Sequence, residues 1–176
     1  MPLRVAIAGL KHGSNYLSHI QKHADTELAA VVDVDADLLS TRAAEYGVPG
    51  FRSIGELLSA NLADALIIAV PTPFHAELST ACLDAGLHVL QEKPLCRNDA
   101  EAAAIGAAVK RSGRVFQVGY EVRSSALVQA IRRHIERGDL GETVNVWYNM
   151  HTFDKHQLLA ECWQHDRSNM GGRQAV

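Results

Sequence analysis

Leu3-Arg4-Val5-Ala6-Ile7-Ala8-Gly9-Leu10-Lys11-His12-Gly13-Ser14 opens the chain, and the reading of this stretch decides the fold. Leu3–Ala8 is a short apolar run with little polar alternation, closed by Gly9. It is too brief for a helix and suits a strand buried on both faces. Beyond the glycine the pattern predicts a helix from roughly Gly13 to His23.

The same alternation continues down the chain. Leu28–Val32 is a second apolar run, ended by Asp33. Asp35 reads as a helix N-cap, and Gly47-Val48-Pro49 as the stop of that helix. Ser53-Ile54-Gly55-Glu56 is a capping box opening a short helix. Ala65–Val70 predicts a buried strand, after which Thr72 can cap a helix with Pro73 at its first position. That helix ends at Gly86, and Leu87–Leu90 is the next strand. Asn98 with Glu101 starts a helix to about Lys110, and Val115–Val118 is one more strand. Apolar strands separated by helices predict an α/β fold with a doubly wound parallel sheet. Its ligand crevice lies at the carboxyl ends of the strands. Those ends fall at Gly9, Asp33, Val70–Thr72, Gln91–Pro94 and Gly119–Tyr120, where the unusual residues stand.

Composition narrows the function classes. With 176 residues there is room for one full domain and a fragment. The net charge is −3 and the basic residues are scattered, with no run longer than the pairs Lys110-Arg111 and Arg132-Arg133, which argues against a nucleic-acid stripe or a membrane-surface patch. Ala63–Val70, apolar except for Asp64, is too short to span a bilayer. The N-terminus runs straight into a strand, with no signal-peptide pattern. Three unclustered cysteines, Cys82, Cys96 and Cys162, form no disulfide framework, so a cytoplasmic protein is expected.

The first turn is a partial match to a dinucleotide-binding loop. Such loops favour Gly-x-Gly-x-x-Gly, for a tight turn, close approach of pyrophosphate and close helix packing. Only Gly9 is in register; Lys11 and Ser14 replace the second and third glycines. Gly13 can restore backbone freedom, and Ser14 is small enough for helix packing. By itself the segment fits a plain strand-to-helix turn equally well. Asp33 adds weight, standing near the spacing of the acidic residue that binds the adenosine ribose hydroxyls. A carboxylate there repels a 2′-phosphate and favours NAD over NADP, although Asp33 with Asp35 can also simply begin a turn. Arg42 lies too far along its helix to argue for NADP.

Glu92-Lys93-Pro94, preceded by Val70-Pro71-Thr72-Pro73-Phe74-His75, resembles the Gfo/Idh/MocA family of NAD(P)-dependent sugar and cyclitol dehydrogenases. The likeness continues through Gly119-Tyr120, Arg137-Gly138-Asp139-Leu140-Gly141-Glu142 and Val144–Asn149, to about Gly172. The resemblance implies a dinucleotide-binding Rossmann domain over 1–120. The start of an α+β substrate and oligomerisation domain would follow over 121–176. It implies hydride transfer between NAD and a sugar, cyclitol or related polyol, in a homo-oligomer or with a complementing chain. Lys93 would be the catalytic residue, directed at the nicotinamide and the reacting hydroxyl, with a cis peptide before Pro94. The cofactor site would comprise Gly9, Lys11, His12, Gly13, Ser14, Asp33, Pro71, Thr72, His75, Glu92 and Lys93, with Thr72 near the nicotinamide side and His75 lining the crevice.

Beyond residue 121 the sequence predicts a helix over Ser124–Arg137, a strand over Glu142–Met150 and an irregular tail with Trp163, Arg167 and Gly171-Gly172. In many family members an Asp-x-x-x-His segment follows, whose His is the general acid/base. This chain ends four residues after Gly172, so the resemblance implies a C-terminal truncation without that His. Dehydrogenase activity would then need a second polypeptide, and the aromatic strand would drive association. A non-catalytic nucleotide- or sugar-binding module is the alternative. A methyltransferase also uses a glycine turn and an acidic strand end, but Glu-Lys-Pro argues against it. His151, Asp154, His156, Cys162 and His165 match no zinc spacing and read as polar residues of the substrate domain, so no metal is expected. His19 and His23 share a solvated helix face, and Cys96 has no adjacent base to activate it.

Overall fold

β1 (Leu3–Ala8) takes the centre of the sheet because both of its faces are apolar and both of its edges are paired. The computed structural model describes residues 1–147 and 149. On one side of β1 lie β2 (Thr26–Val32) and then β3 (Gly50–Phe51); on the other lie β4 (Ala65–Ile68), β5 (His88–Gln91) and β6 (Phe116–Val118). Every pairing is parallel, in the order β3-β2-β1-β4-β5-β6. The strand order reverses between β1 and β4, and crevices form at such a switch point.

Alternate residues of each strand feed opposite cores. Val5, Ile7, Val31 and Ile67 pack with Leu10 and Leu17 of α1 (Leu10–Lys22) and Leu39 of α2 (Ala36–Tyr46). Ala6, Ala8, Val32, Leu66, Ile68 and Val89 pack with side chains from α3 (Ile54–Ala60), α4 (His75–Asp84) and α5 (Asp99–Ser112). Helices therefore cover both faces, as the doubly wound reading requires.

Helix ends follow the caps read from sequence. Asp35 accepts from the amides of Asp37 and Leu38, Ser53 from Glu56, and Asn98 from Glu101. In the Ser53 box, and likewise at Asn98, the glutamate reaches back one residue beyond the cap, to the amides of Arg52 and Arg97.

Four features differ from the expected pattern. First, α1 starts at Leu10, not Gly13, because the Asp33 carboxylate of the neighbouring strand accepts from the Leu10 amide at 2.6 Å. Second, Thr72 does not open an α-helix; Thr72–Phe74 forms a 3-10 turn, with Phe74 donating to the Pro71 carbonyl, and α4 begins at His75. Third, two-residue β3 escaped notice because it is too short to show a period. Fourth, no strand forms over residues 142–147. A strand is held by a partner's backbone, and none lies beside this segment among the described residues; Tyr148 and Met150 lie outside them. Trp147 is 85% exposed. The expected helix is present as α6 (Ala126–Glu136), capped by Ser125, and it buries no residue. No helix among the described residues is long and apolar enough to cross a membrane.

Candidate active site

Gly9 sits at the switch point with φ +87°, a left-handed conformation open chiefly to glycine. A Cβ on it would lie 2.5 Å from the Ala69 carbonyl oxygen and 2.8 Å from the Val70 nitrogen. The turn and the end of β4 can approach this closely only because the side chain is missing. Gly13 performs the packing task expected of Ser14: a Cβ there would stand 2.7 Å from Ile7 Cγ2. The Ser14 hydroxyl instead donates to the Leu10 carbonyl of its own helix, at 2.5 Å.

The N-terminus of α1 points out of the carboxyl end of β1. Its first turn holds no acidic residue. The amides of Lys11 and His12 precede the first acceptors of the α-helical ladder, and both side chains are exposed. The positive end of the helix dipole adds to this donor set, which suits an anion. Asp33, at the end of β2, stands beside it and accepts from Leu10 with Oδ2 and from the Asp35 amide with Oδ1, at 2.9 Å. Each carboxylate oxygen keeps a further lone pair for a hydroxyl donor.

On the other side of Gly9 come the turns after β4 and β5. Pro71 is exposed, whereas Thr72 is buried. His75 stands at the head of α4 as expected, but its ring does not line the crevice. It is 1% exposed, with Nδ1 2.8 Å from the Pro94 carbonyl and Nε2 2.9 Å from the Val70 carbonyl. The ring packs between two turns and its N–H donates to a carbonyl of one of them, a task its position in sequence did not disclose. The Lys93–Pro94 peptide is cis. Lys93 is exposed and forms no ion pair among the described residues.

Glu92 faces inward, toward α1. Its side chain is 11% exposed, accepts from the Tyr16 hydroxyl and from the Lys93 amide, and lies 3.4 Å from His12 Nε2. Burial acts to raise the Glu92 carboxyl, but the Tyr16 hydroxyl, the Lys93 amide and the charges of His12 and Lys93 outweigh it, so the group is held below the usual carboxylate range. Burial, then the bond to Glu92, pushes the Tyr16 phenol up. Tyr16 was not anticipated as a site residue; the available signal was its place one turn after His12 on the same helix face. Gln91 and Ser79, both fully buried and joined at 2.7 Å, also escaped the sequence reading. Among the described residues no cluster of three His, Cys, Asp or Glu could hold a metal, and residues 151–165 lie outside them.

Residues 3–120 match the Gfo/Idh/MocA profile, described as an oxidoreductase family with an NAD-binding Rossmann fold. The chain belongs to this family. Among Gfo/Idh/MocA proteins, it is 32% identical over 143 residues to inositol 2-dehydrogenase of Leifsonia xyli subsp. xyli, covering 80% of this chain and 42% of that protein. It is 31% identical over 140 residues to 4-carboxy-2-hydroxymuconate-6-semialdehyde dehydrogenase of Sphingobium sp., covering 78% and 44%. The WlbA dehydrogenase of Chromobacterium violaceum, solved with NADH and UDP-GlcNAcA, superposes with a TM-score of 0.75 at 27% identity, over 80% of this chain and 41% of that one. The chain thus spans about two fifths of the length of the relatives it matches. The family's dinucleotide fits the groups present: the Gly9 approach, the acid-free helix N-terminus and the hydroxyl-accepting Asp33 stand at adjacent strand ends.

Proposed function

We propose that residues 1–120 bind NAD across the carboxyl ends of β1, β2, β4 and β5, as the cofactor half of a dehydrogenase for a sugar, cyclitol or related polyol. The observation that carries this reading is the placement of Asp33 and Lys93 at strand ends on opposite sides of Gly9. Bound NAD supplies the hydride acceptor. Asp33 accepts from the adenosine ribose hydroxyls and disfavours a 2′-phosphate. The amides and side chains of Lys11 and His12 face the pyrophosphate. Pro71 and Thr72 border the nicotinamide side. Lys93 donates to the reacting oxygen of the substrate and steadies charge developing there. Glu92 holds the Lys93 turn against α1 through Tyr16 and His12 rather than touching the substrate.

Residues from 121 onward are assigned to the start of the substrate domain. The apolar side chains of Leu127, Ile131 and Ile135 stand exposed on α6, with Trp147 beyond them. That surface supports self-association, and sedimentation velocity at micromolar concentration should show a dimer or larger species. A monomer would remove this part of the reading. The cofactor reading is tested by calorimetric titration of NAD and NADP. NAD should bind more tightly, and Asp33→Asn, which keeps an acceptor for Leu10, should shrink the preference by about tenfold. Equal or tighter binding of NADP by the unaltered chain would overturn the role of Asp33.

A further inference from the structure

The turn that carries Lys93 is held from beneath by Gln91 and Ser79, which lie outside Val70–His75 and Glu92-Lys93-Pro94, and by His75. Gln91 is 0% exposed, and its Nε2 donates to the Leu95 carbonyl at 2.7 Å and lies 3.3 Å from the carbonyls of both Glu92 and Pro94. A side-chain amide nitrogen has two hydrogens. The short bond takes one, and the two longer contacts share the other. Ser79 donates its hydroxyl to Gln91 Oε1 at 2.7 Å, and the orientation of the amide is settled at its other end, where three carbonyls can face only the nitrogen. The His75 ring lies between this Pro94 carbonyl and that of Val70, 2.8 and 2.9 Å from its two nitrogens, and a ring with one N–H donates to one of the two. From the opposite side, Glu92 accepts from the Lys93 amide at 3.1 Å.

The carbonyls of residues 92, 94 and 95 and the amide of residue 93 are therefore all engaged. Burying a primary amide is costly unless its groups are bonded, and an apolar residue would satisfy the burial of this position. A glutamine here spends both of its N–H donors on the turn, while its oxygen accepts from Ser79 of α4. We propose that Gln91, oriented by Ser79 and assisted by His75, is the positioning element that fixes the direction of Lys93. The inference rests on the reading of Lys93 given above. Its functional weight follows from geometry, because a displacement of about 1 Å at a reacting group can cost about a hundredfold in rate.

The test uses the full 176-residue chain. Gln91→Met keeps length and volume but removes the donors and the acceptor. Ser79→Ala is the milder variant, releasing the amide, and it carries both measurements where Gln91→Met does not fold. The first measurement is the backbone order parameter of Lys93 and Leu95 by nitrogen-15 relaxation, with no ligand present. It should fall from about 0.85 to below about 0.6 in the variants, with β1 and β4 unchanged. Unchanged values at Lys93 and Leu95 would overturn the proposal.

The second measurement is the ratio of NADH affinity to ADP-ribose affinity, since ADP-ribose lacks the nicotinamide. Gln91→Met should lower the ratio about tenfold while ADP-ribose affinity stays within about twofold. In a chain already carrying Lys93→Ala it should lower the ratio no further. An equal drop in that background would show that Gln91 does not act through Lys93, and would also overturn the proposal. If the unaltered chain binds no ADP-ribose, the cofactor reading fails instead, and the order parameters decide the positioning role alone.

Discussion

Replacing Gly9 by alanine separates two costs that are usually lumped together. The first is conformational: at φ +87° an L-residue is strained, by about 1–2 kcal/mol. The second is contact. The new Cβ would meet the Ala69 carbonyl oxygen at 2.5 Å, its carbon at 2.6 Å and the Val70 nitrogen at 2.8 Å. These are backbone atoms at the end of a central strand and cannot rotate away, so overpacking adds about 1–3 kcal/mol. The total, about 2–5 kcal/mol, is a large share of the about 5–15 kcal/mol that holds a typical domain. Gly47 supplies the control. It has φ +66° at the end of α2, and a Cβ there would meet nothing within 4 Å. Gly47→Ala should therefore show the conformational cost alone. Gly13→Ala, whose Cβ would press on the Ile7 side chain, should cost less than Gly9→Ala, since a side chain can shift where backbone cannot and alanine is favoured over glycine within a helix by about 1 kcal/mol. Urea denaturation followed by circular dichroism gives the three losses, comparable if the denaturant slope stays constant. If Gly9→Ala is no more destabilising than Gly47→Ala, the close approach of the turn to β4 is wrong.

Two further outcomes follow from the charged groups. Tyr16→Phe should cost about 1.5–3 kcal/mol, as for a hydrogen bond to a charged group, and should raise the Glu92 carboxyl, because burial remains while its strongest counterweight is gone; a carbon-13 titration in which Glu92 is unmoved would refute this. The Asp64 carboxyl is held at about 2 instead of 3.8, chiefly by hydrogen bonds from the Arg4 side chain and amide. The folded value lies below the unfolded one, so the pair's contribution is present above about pH 4 and is lost as the pH falls through about 2. The melting-temperature gap between the unaltered chain and Asp64→Asn should be small, since the partners are 42% and 39% exposed. It should close on acidification; a gap that widens toward pH 2 would reverse the assigned sign.

How much was legible in the sequence depended on whether the physical cause was local. Asp35, Ser53 and Asn98 act on amides two or three residues away, and their helices began where the reading placed them. The start of α1 was misplaced because its cap, Asp33, arrives from another strand, 23 positions along the chain. The same distinction governs the site. Gly9, Asp33 and Lys93 stand at strand ends, and strand ends can be found from apolar runs alone. Tyr16 meets Glu92, and Ser79 meets Gln91, through contacts between distant segments with no spacing of their own. His75 was placed correctly along the chain and wrongly in depth, because nothing in Thr-Pro-Phe-His tells which way the ring turns. The segment 142–147 has the alternation of a strand, but alternation is a preference and pairing is a requirement.

The central position of β1 also sets a schedule for the growing chain. Val5 pairs with Leu28 on one side and with Ala65 on the other, 60 residues later. At synthesis rates of about 5–20 residues per second, roughly 3–12 seconds separate the emergence of Val5 from that of Ala65. During that interval one edge of an apolar strand waits uncovered, able to template pairing with another nascent chain. The first strand made is thus sealed only after β2, whose second edge β3 covers first, and the vulnerable period of this protein's life falls on the ribosome, before its nucleotide crevice has two walls.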